Sequence, residues 1–234
     1  MINRSTSTGR ILLNLGCGMC TPPGWVNVDG SWSASLAKKP RLKSLLRATR
    51  LAPAYVTETP WNPDIVVADL RRRLPFADNE ADAVYCSHTL EHFHVESGKR
   101  FLHEMHRVFK PGGICRILVP DGLEMVKRGI LQPLSDTALH SVVPRVTGRA
   151  FETINVGVVA RPKSLVGRLW HMVNDIHYHK YLYDEASLTA LFKWAGFVNV
   201  RRHQAFESRI PEVNAIESKS RASDGSLCME GEKA

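Results

Sequence analysis

An apolar run, Ile11-Leu12-Leu13-Asn14-Leu15, passes without a break into Gly16-Cys17-Gly18. Only ten residues then separate Gly18 from Asp29, which ends a second short strand, Trp25–Asp29. A buried strand feeding a glycine turn, followed by a strand ending on a carboxylate, is the opening of an α/β sheet that holds a ligand at its edge. The middle is unusual for such a site. Pro22, Pro23 and Gly24 leave no room for a helix between the two strands.

The pattern continues as alternating elements. Pro40 to about Arg50 has helical spacing, with Leu42, Leu45 and Leu46 on one side and Lys39, Lys43, Arg47 and Arg50 on another. Ile65–Ala68 reads as a third strand ending at Asp69, and Ala81–Cys86 as a fourth. A helix from about Ser97 to Phe109 is closed by Lys110-Pro111-Gly112-Gly113, a helix stop followed by a turn. Ile114–Val119 is a fifth strand, and it ends at Pro120-Asp121. Asp184 is an N-cap candidate for a helix to Ala195, followed by closing strands at Phe197–Arg201 and Leu227–Glu230. Strands alternating with helices predict a Rossmann-like α/β fold: a mostly parallel sheet with an antiparallel closing strand and helices on both faces. Ligands in such sheets bind beyond the carboxyl ends of the strands. Here those ends are Gly16/Gly18, Asp29, Asp69, Ser87/His88 and Pro120/Asp121.

Length and charge bound the rest. At 234 residues the chain is expected to be one domain, 1–234. The proline-interrupted stretch at about 131–180 is expected to be an insertion that shapes an acceptor pocket or lid. No run approaches the roughly 18 apolar residues of a membrane span, and Met1–Arg10 lacks the apolar core of a secretory signal. The odd number of dispersed cysteines (Cys17, Cys20, Cys86, Cys115, Cys228) argues against a disulfide framework and for a reducing, cytoplasmic location. The net charge of +8 is uneven: Lys38, Lys39, Arg41, Lys43, Arg47 and Arg50 have no acid among them. Three readings of that helix compete, namely a solvated face, a peripheral contact with an anionic membrane, and nucleic-acid binding. No RNA-binding motif or aromatic stacking series supports the third.

The edge of the sheet discriminates between cofactors. A dinucleotide needs a pyrophosphate cradle, usually three glycines running into a long helix. This chain has Gly16 and Gly18, Cys20 where a third small residue would help, and no P-loop lysine. S-adenosyl-L-methionine carries no phosphate. It needs close backbone approach, which the glycines permit, and a carboxylate for its ribose diol, which Asp29 supplies. Asp69 and its neighbouring amides offer partners to an adenine edge. The missing helix therefore favours S-adenosyl-L-methionine over NAD.

Linked segments now carry a resemblance: LNLGCG, GWVNVD, VVADLRRRLPFADNEADAVYCSHTLEH, FLHEMHRVFKPGGICRILVPD and HKYLYDEASLTALFKWAGF. In order and spacing the chain resembles the class I S-adenosylmethionine-dependent methyltransferases, type 11 group, over most of 11–121 and 177–200. The resemblance implies that Gly16, Cys17 and Gly18 lie against the methionine and ribose portions, and that Asp29, with Gly30 beside it, binds the ribose. It also implies that Asp69 with Leu70 flanks the adenine, and that Ser87 and His88 border the methionine end and face the acceptor. Asn14 joins the expected cofactor set, although many family members carry an acid there. Asn14 brings hydrogen bonds without a charge to oppose the sulfonium.

The candidate catalytic residues are His88, His92 and His179, each read as a general base or as a local structural histidine. His88-Thr-Leu-Glu91-His92 also spells an inverted zinc-protease pattern, but its position at a strand end argues against a metal, and none is expected. Cys17-Gly-Met-Cys20 lacks the second pair that would make a zinc or redox site. The resulting expectation is a methyltransferase that O-methylates a small molecule or a glycan, the glycan preference coming from the family resemblance alone. N-methylation of a small amine, a basic RNA-directed protein and a non-catalytic cofactor binder are the alternatives.

Overall fold

A computed structural model describes residues 9–127, 179–210, 213–219, 221–222 and 225–234. The first strands are β1 (Leu12–Leu15), β2 (Val26–Asp29), β3 (Val66–Val67), β4 (Ala81–Ser87) and β5 (Phe109–Pro120). β6 (Phe197–His203) and β7 (Ser226–Lys233) complete a seven-stranded sheet of order β3-β2-β1-β4-β5-β7-β6. The first five strands pair in parallel, and β7 runs antiparallel to both β5 and β6.

All four residues of β1 are buried, as a strand covered on both faces requires. The strands sort their side chains by alternation. Leu13, Leu15, Val84, Cys86, Ile117 and Val119 face one cluster, together with Phe101, Leu102, Met105 and Val108 of helix α4 (Val95–Val108) and Leu188, Leu191 and Phe192 of α6 (Glu185–Trp194). Leu12, Ala83, Tyr85 and Leu118 face a second cluster, covered by Ile210, Val213 and Ile216 around the short helix α7 (Val213–Ile216). The 3.6-residue spacing of the α4 apolar positions and the period of two in the strands meet in one core.

Three further helices, α1 (Trp32–Ala37), α2 (Pro40–Ala48) and α3 (Ala54–Glu58), fill the crossover from β2 to β3, and α5 (Gly122–Lys127) follows β5. Asp184 caps α6 with a capping box, its carboxylate accepting from the Ser187 amide at 2.7 Å while Ser187 Oγ accepts from the Asp184 amide at 3.0 Å. Between Gly18 and Val26 there are turns and no helix, as the two prolines dictate.

The Lys110–Gly113 turn differs from expectation. The α4 helix does stop at Val108, but β5 already begins at Phe109, which pairs with Ala81. The next register pair is Ala83 with Ile114, so the Pro-Gly-Gly stretch is an irregularity inside an edge-to-core strand. The acceptor-pocket insertion expected at 131–180 lies, through residue 178, outside the described residues, as do His140, His171 and His177.

Candidate active site

The carboxyl ends of β1, β2, β3 and β4 open on one cavity of about 520 Å³. Gly16, Gly18, Asp29, Gly30, Asp69, Leu70, His88 and His92 all line it. Asn14, Cys17, Ser87, His179 and Asp121 are not among its lining residues.

The glycine turn is built for close approach. Gly16 sits at φ +74, and a Cβ there would meet Thr89 Oγ1 at 2.0 Å. A Cβ on Gly30 would meet the Ala68 carbonyl at 2.4 Å, so the β2 and β3 ends can converge only over a glycine. The turn is held from below, because the Gly16 and Cys17 amides both donate to the Val28 carbonyl, at 2.8 and 3.0 Å.

Asp29 ends β2 with both carboxylate oxygens fixed. Oδ2 accepts from the Gly18 amide at 3.0 Å and Oδ1 from the Ser31 amide at 2.8 Å. Each oxygen keeps a second lone pair. The buried carboxylate therefore presents two acceptors in a fixed orientation, the pattern a vicinal diol donates to. These are observations of fit: glycines that no side chain can replace beside a carboxylate with two spare lone pairs suit the ribose and methionine parts of S-adenosylmethionine.

Asp69 is differently placed. Arg71 grips both its oxygens, Nε to Oδ1 at 2.8 Å and Nη2 to Oδ2 at 3.0 Å. That hydrogen bond, against the opposing effect of partial burial, holds the Asp69 carboxyl below its ordinary range. Leu70 beside it is buried and apolar, a surface for a flat ring.

Asn14 has a structural task. Its Nδ2 donates to the Cys20 carbonyl and to Asn27 Oδ1, both at 2.8 Å, and Asn27 Nδ2 donates onward to the Pro22 and Trp25 carbonyls. Two side-chain amides, the buried Asn14 and the half-buried Asn27, thus staple the helix-free loop to β1 and β2. A carboxylate at 14 has no proton to donate to either acceptor, which gives a physical reason for the departure from the acid seen in many family members. The Cys17 side chain turns inward against Ala34 and Ile65. Burial, then the charges of Asp29 and Cys20, push its thiol up to about 12. Ser87 is likewise buried, with Oγ unpaired. Asp121 closes the first turn of α5 by accepting from the Leu123 and Glu124 amides.

The histidines behave unequally. His88 follows β4 in a left-handed conformation, φ +50, and its amide donates to the Leu118 carbonyl. Both ring nitrogens are engaged: Nε2 lies 2.9 Å from the Arg221 carbonyl and Nδ1 3.3 Å from Glu91 Oε1. Burial opposes charging of the ring, but the contacts with Glu91 and the Arg221 carbonyl outweigh it and raise the His88 pKa. The ring is therefore locked, with no nitrogen left to face a substrate. His92 ends the 3₁₀ turn Leu90–His92 on the cavity wall, and its ring stands edge-on to that of His179, centroids 5.0 Å apart.

Residues with no readable motif complete the wall. Trp32, Tyr55 and Trp61 come from the β2–β3 crossover, Thr89 from the turn after β4, and Arg221 from a polar stretch before β7. The aromatic residues flanking a basic stretch are the available signal for the first group. Nothing local marks Arg221.

Residues 13–117 match the family model described as a methyltransferase domain. This span contains β1 through most of β5, with the glycine turn, Asp29 and His88. The match spans a little under half of the chain, and over it the chain is similar to a methyltransferase domain. Solved structures show a distant similarity. A protein of Pyrococcus horikoshii OT3 is 17% identical, with 95% of this chain and 81% of that one covered and a TM-score of 0.49. An S-adenosylmethionine-dependent methyltransferase of Archaeoglobus fulgidus is 16% identical, with 96% and 86% covered and a TM-score of 0.46. One from Thermotoga maritima is 15% identical, with 95% and 82% covered and a TM-score of 0.45. At these identities the likenesses bear on neither acceptor nor mechanism. No curated protein matches this chain. Among its described residues no helix is long and apolar enough to cross a membrane.

Proposed function

We propose that the protein is a class I S-adenosylmethionine-dependent methyltransferase that transfers methyl to a hydroxyl of a small molecule or glycan, with the acceptor entering at the His92 end of the cavity. The observation that carries this reading is His92 on the cavity wall beside the turn after β4, paired edge-on at 5.0 Å with His179, which does not itself line the cavity. A hydroxyl needs its proton removed as it attacks, whereas a free amine does not, and two imidazoles at the acceptor end suit the harder case. When bound, S-adenosyl-L-methionine supplies a methyl on positively charged sulfur, so the acceptor O–C bond forms as the S–C bond breaks and its electron pair returns to sulfur.

The residues supply placement and proton removal. Gly16, Gly18 and Asp29 hold the ribose and methionine portions, with Gly30, Asp69 and Leu70 bordering the adenine side. Asn14, Cys17 and Ser87 act from beneath, by setting the loop and the β4 end. The acceptor proton leaves toward His92 and His179. His88, locked between Glu91 and Arg221, is a positioning residue for the turn that carries His92. Positioning of this kind supplies up to about 7–11 kcal/mol of a barrier, and a base typically adds about 10²–10⁴-fold. The five free thiols suit a reducing compartment such as the cytoplasm.

Helix α2 adds a second element to the reading. None of its residues is buried; Leu42 is 42% and Leu45 58% exposed, among Lys39, Arg41, Lys43 and Arg47. Exposed leucines flanked by cations, of which Arg47 pairs with Glu58 at 3.7 Å, suit a reversible contact with an anionic lipid surface. Sedimentation with phosphatidylserine vesicles, weakened by salt and by a Leu45→Asp change, tests it; equal recovery with neutral vesicles refutes it.

The acceptor class is tested by transfer of labelled methyl from S-adenosyl-L-methionine to sugars, phenols, amines and RNA in parallel. Label entering hydroxyl acceptors, with at least a tenfold loss of turnover in His92→Ala, supports the reading. Label confined to amines or RNA overturns it.

A further inference from the structure

The side chains of Glu91, His92 and His179 bring three potential ligand atoms within 4.8 Å of one another. In the sequence the zinc-like pattern joined His88, Glu91 and His92, but the fold breaks that grouping. His88 precedes the 3₁₀ turn with a left-handed backbone and both ring nitrogens engaged, whereas His179 arrives from a distant part of the chain. The approach of His179 is anchored by backbone: the Glu91 carbonyl accepts from the Lys180 amide at 2.7 Å and from the Tyr181 amide at 3.2 Å.

Glu91 supplies the independent observation. Its side chain is fully buried; among the described residues Oε2 has no partner, and Oε1 has only the ion-pair contact of His88 Nδ1. The neighbouring His88 Nδ1 lies beside Oε1 alone, at 3.3 Å. A carboxylate withdrawn from water in this way is costly unless a cation or hydrogen bonds compensate it.

We propose that Glu91, His92 and His179 form a divalent-metal site, with zinc the ion best suited to two imidazoles and one carboxylate. Two histidines and a glutamate are the protein donors of an open catalytic zinc centre, with the fourth position left for water or substrate. Tetrahedral bonds of about 2.0–2.2 Å put ligand atoms roughly 3.3–3.6 Å apart, so side-chain rotation of about 1 Å closes the group. Because His92 lines the cavity, the open position faces the acceptor end. A hydroxyl bound there loses its proton to solvent more readily, as metal-bound water does. This catalytic role rests on the O-methylation reading and, with the ion bound, takes the place of proton acceptance by His92 and His179, whose nitrogens then hold the ion; binding of the ion does not rest on that reading.

The test uses the full chain, stripped with a chelator and titrated calorimetrically with zinc chloride, then with cobalt(II) followed by visible absorption. The expected result is one ion per chain, four-coordinate cobalt bands, and at least a tenfold weaker affinity in Glu91→Gln and in His179→Ala. His103→Ala, on the exposed face of α4, keeps wild-type affinity. No stoichiometric binding, or equal weakening by His103→Ala, overturns the site. S-adenosylhomocysteine binding is measured on the same samples. Metal loss with cofactor binding kept overturns nothing in the methyltransferase assignment, and cofactor binding without any zinc binding by wild type overturns the metal site alone. If Glu91→Gln does not fold, His179→Ala decides.

Discussion

Replacing Gly16 by alanine isolates the feature on which the cofactor edge depends. The added Cβ would lie 2.0 Å from Thr89 Oγ1, 2.8 Å from its Cγ2 and 2.9 Å from its Cβ, and the backbone stands at φ +74. A left-handed conformation costs an L-residue about 1–2 kcal/mol. Forcing a methyl into filled space costs a further ~1–3 kcal/mol. The expected total is about 2–5 kcal/mol of stability, read from urea denaturation monitored by circular dichroism. The clash has a named partner, so it can be removed separately. Thr89→Ala deletes Oγ1 and Cγ2 and forfeits the 3.2 Å hydrogen bond to the Ser87 carbonyl, a loss of about 1 kcal/mol. The double variant should therefore be more stable than the sum of the two single losses, by about 1–2 kcal/mol. Strict additivity would refute the claim that Gly16 is required by contact with Thr89. Affinity for S-adenosylhomocysteine should follow the same cycle, because Gly16 and Thr89 both line the cavity.

Other residues give shorter tests. Asp29→Asn replaces one of two fixed acceptors by a donor and faces it with an amide, so cofactor affinity should fall by at least tenfold in calorimetry; an unchanged affinity would remove Asp29 from the ribose site. Arg116→Ala strands the fully buried carboxylates of Glu217 and Glu230, each paired at 3.0 Å, and should cost about 3–5 kcal/mol in urea denaturation, while a loss below about 1 kcal/mol would contradict the network. His106 packs edge-on to Phe197 with its pKa lowered first by burial and then by Lys233. The unfolded chain then binds the proton more readily, so this contribution is full above the ordinary value of about 6.5 and is lost as pH falls through it toward the folded value. His106→Gln should flatten that part of the stability profile, and an unchanged slope would count against it.

Much of the fold was legible because burial imposes periods on the chain. The continuous apolar run of β1, the 3.6-residue spacing of α4 and the Asp184 cap of α6 are local signals, and each element formed within a few residues of its expected bounds. Less legible were features made by distant partners. Arg116 sits in an apolar strand, and nothing nearby announces that all five of its N–H donors are used by Glu217, Glu230 and the Gln204 and Glu207 carbonyls. The same holds at the site. The glycines and Asp29 stand at strand ends and could be read from the topology. His179, Arg221 and the locked state of His88 depend on chain crossings that no spacing encodes. Asn14 was placed near the cofactor by resemblance, whereas its amide protons serve the loop.

The central claim is that the edge formed by Gly16, Gly18 and Asp29 holds S-adenosyl-L-methionine without a phosphate cradle. Titration calorimetry with S-adenosylhomocysteine, with NAD as the comparison ligand, tests it most directly. The account predicts one site per chain for S-adenosylhomocysteine, weakened by Asp29→Asn, and no heat of binding for NAD. Binding of NAD, or failure of S-adenosylhomocysteine to bind the folded wild-type chain, would contradict it.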